Sequence, residues 1–176
     1  MVKIFTHSLI IILITGSISL AQVEEEIKVA AQIYAYALKH HDQDVLLDFT
    51  YPALVEKAGG RPAMKRILQG IQQTQLEKGQ VFQGLELRFP INHVKVKEEI
   101  HALVPVVIKS KVPGGILISE TTLIAVATDQ RSNWYFIETT SLDERNVQKV
   151  VPTWDNSLML PPKKAPIFKE DKFETR

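Results

Sequence analysis

The chain has 176 residues, of which 45% are hydrophobic and 23% are charged, as expected for one globular domain. Its formal net charge of +1 argues against nucleic acid and anionic membrane surfaces as partners, because both attract strongly basic proteins. The absence of cysteine excludes disulfides, thiolate nucleophiles, thiolate metal sites and a lipid anchor on cysteine.

Residues 1–21 have the order of features found in a secretory signal peptide. Lys3 supplies the positive end, Leu9–Ile14 supplies an apolar run, and Ser19-Leu20-Ala21 fits a small-x-small cleavage site. The apolar run is too short to cross ~30 Å of hydrocarbon as a helix, which disfavours a membrane anchor. We therefore expect cleavage near Ala21 and an exported protein, periplasmic or secreted, with no stable membrane anchor. Without Lys3, the mature chain would carry 20 basic and 20 acidic residues.

Residues 22–79 show the periodicity of helices. The first apolar face follows the i, i+3, i+4, i+7 spacing of a helix: Ile27, Ala30, Ala31, Tyr34, Ala37 and Leu38. A second apolar stripe over Met64–Ile71 follows Pro62 and ends before Gly79. These patterns predict two long helices.

The segment Asp48–Gly60 joins these two helical patterns. Pro52 disfavours helical geometry at Tyr51, and Gly59-Gly60 suits the end of the turn that follows. We expect one short helix over residues 45–49 before the break and another short turn after it.

Beyond Gly79 the apolar residues alternate, which indicates half-buried strands. Five strands are expected over residues 85–89, 93–97, 100–111, 116–128 and 134–140. Pro105 inside the third strand predicts an edge position or a bulge, and Val112–Gly115 predicts a hairpin turn.

Helices followed by an antiparallel meander indicate an α+β domain, with the helices packed on one face of a curved sheet. We assign this domain to residues 22–155, with a short closing helix over Asp143–Val151. Residues 156–176 form a Pro- and Lys-rich tail that we expect to be loosely ordered.

This layout resembles the NTF2-like (SnoaL-like) cone fold, and in particular uncharacterised secreted bacterial members. The resemblance lies in the segment Asp48–Gly60 and in the last strand, Trp134-Tyr-Phe-Ile. It implies a curved sheet around a long helix, with a pocket at the open end of the cone. Members include isomerases, dehydratases, cyclases and non-catalytic binding or association domains, so the resemblance leaves the function open.

Five side chains are candidates for a ligand-binding pocket: Tyr34, Asp48, Tyr51, Trp134 and Glu138. On one helical turn, Asp48 and Tyr51 would share a face as a general base and a hydroxyl donor, although a solvated Asp48 and a core Tyr51 are the simpler explanation. Glu138 shares a strand face with Trp134, where burial would raise its pKa, although the wet rim of the sheet is the other position open to it. Tyr34 either points into the cone or is core.

The histidines carry weaker signals. His93 falls on a strand face with lysines and is expected to be exposed, whereas His101 fits either face. His40-His41-Asp42 lacks the spacing of a metal site and suits a helix terminus. We expect no metal and no other cofactor.

Two classes of function follow from these observations. The first is a non-catalytic, exported domain that binds a small apolar ligand, or that associates with itself or another protein through its sheet. The second is a small enzyme of the isomerase or dehydratase kind, with Asp48 and Tyr51 in the pocket and Glu138 as a further candidate. The enzyme requires these side chains to converge on one cavity.

Overall fold

The computed structural model describes residues 20–128 and 133–171. The predicted signal peptide lies outside the described residues except for Leu20 and Ala21, as does most of the predicted turn after residue 128. In the described part of the chain, no helix is long and apolar enough to cross a membrane.

Helices occupy the first half of the described chain. They are α1 (Leu20–His40), α2 (Gln43–Asp48), α3 (Pro52–Lys57) and α4 (Arg61–Glu77). Asp42 caps α2 by accepting a hydrogen bond from the Val45 amide at 3.1 Å, and Pro52 occupies the first turn of α3. Gly59 and Gly60 have φ angles of 95° and 91°, which explains why glycines separate α3 from α4.

The second half of the chain forms an antiparallel sheet. Its strands are β1 (Val81–Leu87), β2 (Asn92–Val96), β3 (Glu99–Val112), β4 (Gly115–Thr128), β5 (Trp134–Glu138) and β6 (Ile167–Glu170). The two 14-residue strands β3 and β4 form the centre; β1 and β2 pair with the two ends of β3, and β5 and β6 pair with the two ends of β4. Helices followed by antiparallel strands confirm the predicted α+β class.

Alternation along β3 separates two apolar cores. Ile100, Ala102 and Val104 face α1 and pack with its Ile27 and Ala31. Leu103, between them in sequence, faces the opposite side of the sheet. The same alternation in β4 and β5 extends both cores.

The core on the side of the sheet away from α1, here called the outer core, is covered by the chain that follows β5. This covering segment, residues 142–160, packs Leu142, Val147, Val151, Trp154 and Leu158 on the sheet. Residues 147–149 form one 3-10 turn where a short helix over Asp143–Val151 was predicted.

Pro105 lies in a central strand with an unbroken register to β4, so neither the predicted edge position nor the predicted bulge is found there. Its carbonyl accepts a hydrogen bond from the Arg88 amide, while its ring nitrogen has no proton to donate on that side. The partner strand changes there from β1, which ends at Leu87, to β2, which begins at Asn92. The backbone N–H that Pro105 lacks would therefore point to the gap between strands β1 and β2, where β3 has no partner strand on that side.

The tail differs from the loosely ordered segment that we expected over residues 156–176. Leu158 is buried, and β6 pairs with β4 from Gly115↔Glu170 to Ile118↔Ile167. The four residues of β6 are all exposed, which explains why apolar content did not reveal a strand. Residues 172–176 lie outside the described part of the chain.

Candidate functional site

A cavity of about 980 Å³ lies between the helices and the sheet, and Leu142 and Val150 of the covering segment also line it. Helix α4 supplies much of its apolar wall, together with the middle of β3: Met64, Ile67, Leu68, Ile71, Leu76, Val106, Val107 and Ile108. Only Met64 of α4 is buried, because the apolar stripe of this helix faces the cavity instead of a packed core. The helical period of α4 was predictable, whereas the empty space below it was not.

One part of the wall is aromatic. Tyr34 of α1 and Phe136 of β5 both line the cavity, with their ring centres 5.2 Å apart. Phe49 supports them from behind, at 6.2 Å from Tyr34 and 6.0 Å from Phe136. The amide of Phe136 donates to the carbonyl of Phe49 at 2.8 Å, which holds the break after α2 against β5.

Glu138 lines the same cavity, two residues beyond Phe136 on the same strand face. Neighbouring protein atoms raise the pKa of this carboxyl above its ordinary value of 4.5 by desolvation, although the residue as a whole is solvent-exposed at the open cavity. Both properties fit a carboxyl that faces a cavity instead of bulk solvent. Burial, followed by the charge of Glu138, raises the pKa of the Tyr34 hydroxyl, which indicates that these two groups are close.

The other charged groups in the wall have partners or lie at its rim. Lys164 pairs with Glu120 at 2.7 Å, and Arg88 pairs with Glu86 at 2.9 Å. Hydrogen bonding and the charge of Lys164 lower the pKa of Glu120, with a smaller effect from Arg88. Lys164 therefore contacts Glu120 directly, whereas Arg88 acts on it from a greater distance.

An uncharged acceptor is also unpaired in the wall. The Nε2 atom of Gln43 donates to Oε1 of Gln72 at 2.5 Å, joining α2 to α4 beside the cavity. The Oε1 atom of Gln43 is buried and has no hydrogen-bond partner among the described residues. Because this oxygen has almost no accessible surface, it is not exposed to the cavity.

Asp48 lies away from the cavity. Its side chain is 62% exposed, and its Oδ1 atom accepts from Nη2 of Arg61 at 2.9 Å. Helix α2 ends at Asp48, so Asp48 and Tyr51 do not share the helical turn that would have aligned them.

Tyr51 packs on the opposite face of the sheet, with its ring 6.2 Å from that of Tyr135. Its hydroxyl is near Glu99: burial, then the charge of that carboxylate and hydrogen bonding to it, raise the pKa of Tyr51. Asp48, Tyr51 and Glu138 thus do not meet in one cavity.

Trp134 belongs to the inner core and does not line the cavity. Its side chain is 4% exposed, and its indole nitrogen has no hydrogen-bond partner within the described chain. Of the five candidates, the structure brings together Tyr34 and Glu138.

A buried polar cluster joins the covering segment to the outer face of the sheet. His101, which is fully buried, donates from Nε2 to Oε2 of Glu99 at 3.0 Å, and the Thr153 hydroxyl donates to the same oxygen at 2.5 Å. The ring of Trp154 stacks on His101 at 5.7 Å. Glu99 and His101 are two residues apart in β3 and share a face, but the predicted strand began at residue 100, so this pairing was not predicted. Thr153 lies 54 residues from Glu99.

Within the described residues, no group of histidine or acidic side chains is arranged to hold a metal ion. His93, predicted to be exposed, is half-buried, with its Nδ1 atom buried and without a hydrogen-bond partner in the described chain. The structure therefore gives two polar sites: the cavity with Glu138, and the cluster around His101.

No protein-family model matches the chain, and neither a curated protein nor a solved structure is significantly similar to it. The resemblance to NTF2-like proteins accordingly remains a prediction from the quoted segments.

Proposed function

We propose that this protein is an exported, non-catalytic NTF2-like domain that binds a small, mainly apolar ligand in the cavity. The observation that carries the proposal is the cavity itself, because about 980 Å³ is at the upper end of the usual range for small-molecule sites. An apolar wall with a few convergent polar groups is the usual composition of such sites.

The exposed apolar side chains of helix α4 support this function. Ile67 is 47% exposed and Ile71 is 52% exposed, although both lie on the apolar stripe that faces the cavity. Burying an aliphatic side chain fully is worth about 1.5–3 kcal/mol, so a ligand that covers this stripe would gain affinity from surface already in place.

The cavity gives less support to the enzyme. The proposed base Asp48 pairs with Arg61 at the surface, and Tyr51 is packed on the far side of the sheet. We therefore do not propose isomerase or dehydratase chemistry by this pair. We also do not base self-association on the outer sheet face, because the covering segment lies over its centre.

Binding of a neutral fluorescent probe, N-phenyl-1-naphthylamine, tests the proposal. We expect saturable binding to the wild type and binding weakened about tenfold or more by Ile67→Lys, since a charge on the apolar wall opposes burial of the probe. Ile33→Lys is the matched control: Ile33 is also 47% exposed on a helix, but it does not line the cavity.

Wild-type protein that shows no saturable binding, or equal loss of binding in both variants, would overturn the proposal. Circular dichroism and melting temperatures of both variants establish that each is folded before titration.

A further inference from the structure

We propose that the cavity selects a cationic amphiphile, in which an alkyl chain covers the apolar wall and an ammonium group pairs with Glu138 beside Tyr34 and Phe136. This inference rests on the proposed ligand-binding function and adds the chemical class of the ligand.

The first support is the isolation of Glu138 from cations. No Lys, Arg or His in the described part of the chain forms an ion pair with it, whereas Glu120 in the same wall is paired with Lys164. The pKa of Glu138 is raised by desolvation, with no cation acting to lower it. A positive group brought by a ligand would supply the missing charge.

The second support is that Glu138 is an acceptor. Once ionised, its carboxylate only accepts hydrogen bonds. An ammonium group is a donor with no acceptor capacity. A ligand carboxylate would leave Glu138 without a donor and would be repelled by its charge.

The third support is the aromatic part of the wall. Tyr34 and Phe136 line the cavity 5.2 Å apart, and Glu138 follows Phe136 on the same face of β5. Aromatic faces attract ammonium groups, most strongly when water is excluded. The same part of the wall therefore offers a carboxylate and aromatic rings to one positive group.

The remaining titratable side chains of the wall include several cations. Lys163, Lys164, Arg88 and His41 would all repel a cation if charged, and each is exposed, as Glu138 is. Lys164 and Arg88 are also neutralised by Glu120 and Glu86. An anionic head group at this rim is the opposing possibility, and it is decided by the test.

Three ligands with the same chain length separate these possibilities: decylammonium, decanol and decanoate, each used below its micellar concentration to displace N-phenyl-1-naphthylamine. We expect decylammonium to bind the wild type about tenfold more tightly than decanol, and decanoate to bind most weakly. Glu138→Gln, which keeps the shape of the side chain, should remove the roughly tenfold advantage of decylammonium over decanol.

Glu98→Gln is the matched control for charge, because Glu98 is exposed in the turn between β2 and β3 and does not line the cavity. It should retain the preference for decylammonium. If decanol or decanoate binds as tightly as decylammonium, or if Glu138→Gln keeps the preference, the inference is overturned while ligand binding stands. If neither the probe nor any of the three ligands binds, the proposed function fails as well.

Discussion

Two carboxylates on opposite faces of the sheet have pKa values that move in opposite directions. Desolvation raises the pKa of Glu138, which faces the cavity. Desolvation acts in the same direction on Glu99, but hydrogen bonds from Thr153 and His101 and the charge of His101 outweigh it and lower the pKa of Glu99. The two pKa shifts differ in direction because Glu99 accepts hydrogen bonds from Thr153 and His101, whereas desolvation alone acts on Glu138.

These pKa shifts predict that removing the two charges has opposite effects on the stability of the fold. A raised folded-state pKa means that Glu138 destabilises the fold as the pH rises above its ordinary value of 4.5. Glu138→Gln should therefore raise the melting temperature at neutral pH, and the gain should disappear towards pH 4. A lowered pKa means that Glu99 stabilises the fold above 4.5 and that this stability is lost as the pH falls through its folded pKa.

Glu99→Gln should accordingly lower the free energy of unfolding at neutral pH by about 1–3 kcal/mol, with a smaller loss under acid conditions. Urea denaturation at a series of pH values measures both variants. Glu98→Gln, at an exposed neighbouring glutamate, should stay within about 0.5 kcal/mol of the wild type at every pH. Shifts of the same sign for Glu99→Gln and Glu138→Gln would contradict this account.

At the scale of elements, strand β6 ties the tail to the sheet through one close approach. A Cβ atom on Gly115 would lie 2.1 Å from the carbonyl oxygen of Lys169 and 2.8 Å from the ring of Phe168. Backbone at that distance cannot stay in place, so only glycine permits the pairing of β4 with β6 at this position. Most of the residues just before β6 contribute to the cavity wall: Pro161, Pro162, Lys163, Lys164 and Pro166.

Gly115→Ala should therefore detach β6 and open the cavity on that side. We expect the amides of residues 167–170 to lose protection in hydrogen exchange, and the binding of N-phenyl-1-naphthylamine to weaken. Gly70→Ala is the control, because a Cβ on Gly70 in α4 would contact nothing within 4 Å, and it should stabilise the protein by about 0.5–1 kcal/mol. Unchanged protection of β6 in Gly115→Ala would show that the strand accommodates the side chain.

At the scale of the whole molecule, periodicity was enough to predict most elements but not their spacing in three dimensions. The stripe over Met64–Ile71 predicted helix α4, and the alternation along β3 predicted a strand. Neither pattern reveals whether an apolar stripe meets a core or a cavity, because both require the same residues. Contacts between distant segments, such as Thr153 with Glu99, have no local signal at all.

The candidate site was likewise predictable from the sequence only in part. The face shared by Phe136 and Glu138 follows from the strand period, and the structure has both in the cavity wall. The pairing of Asp48 with Tyr51 assumed a continuous helical turn, whereas the chain leaves α2 at Asp48 and forms a bridge from Thr50 to Phe136. The inference from spacing thus failed where the secondary structure changed.

The covering segment gives the molecule its second core, and Trp154 is its largest side chain on the sheet. Trp154 is 5% exposed and stacks on the fully buried His101. Trp154→Ala should lower the free energy of unfolding by about 3–5 kcal/mol, because truncating a buried Trp leaves a cavity. Met159→Ala, at a side chain that is 72% exposed five residues later, should stay within about 0.5 kcal/mol of the wild type.

Trp154 does not line the inner cavity, so Trp154→Ala should bind N-phenyl-1-naphthylamine with wild-type affinity at temperatures where it is folded. Urea denaturation and probe titration on the same samples separate these two effects. If Trp154→Ala lowered the free energy of unfolding by less than about 1 kcal/mol, the covering segment would not contribute a core of its own. Loss of probe binding in the folded variant would mean that the covering segment shapes the cavity, since its Leu142 and Val150 line it.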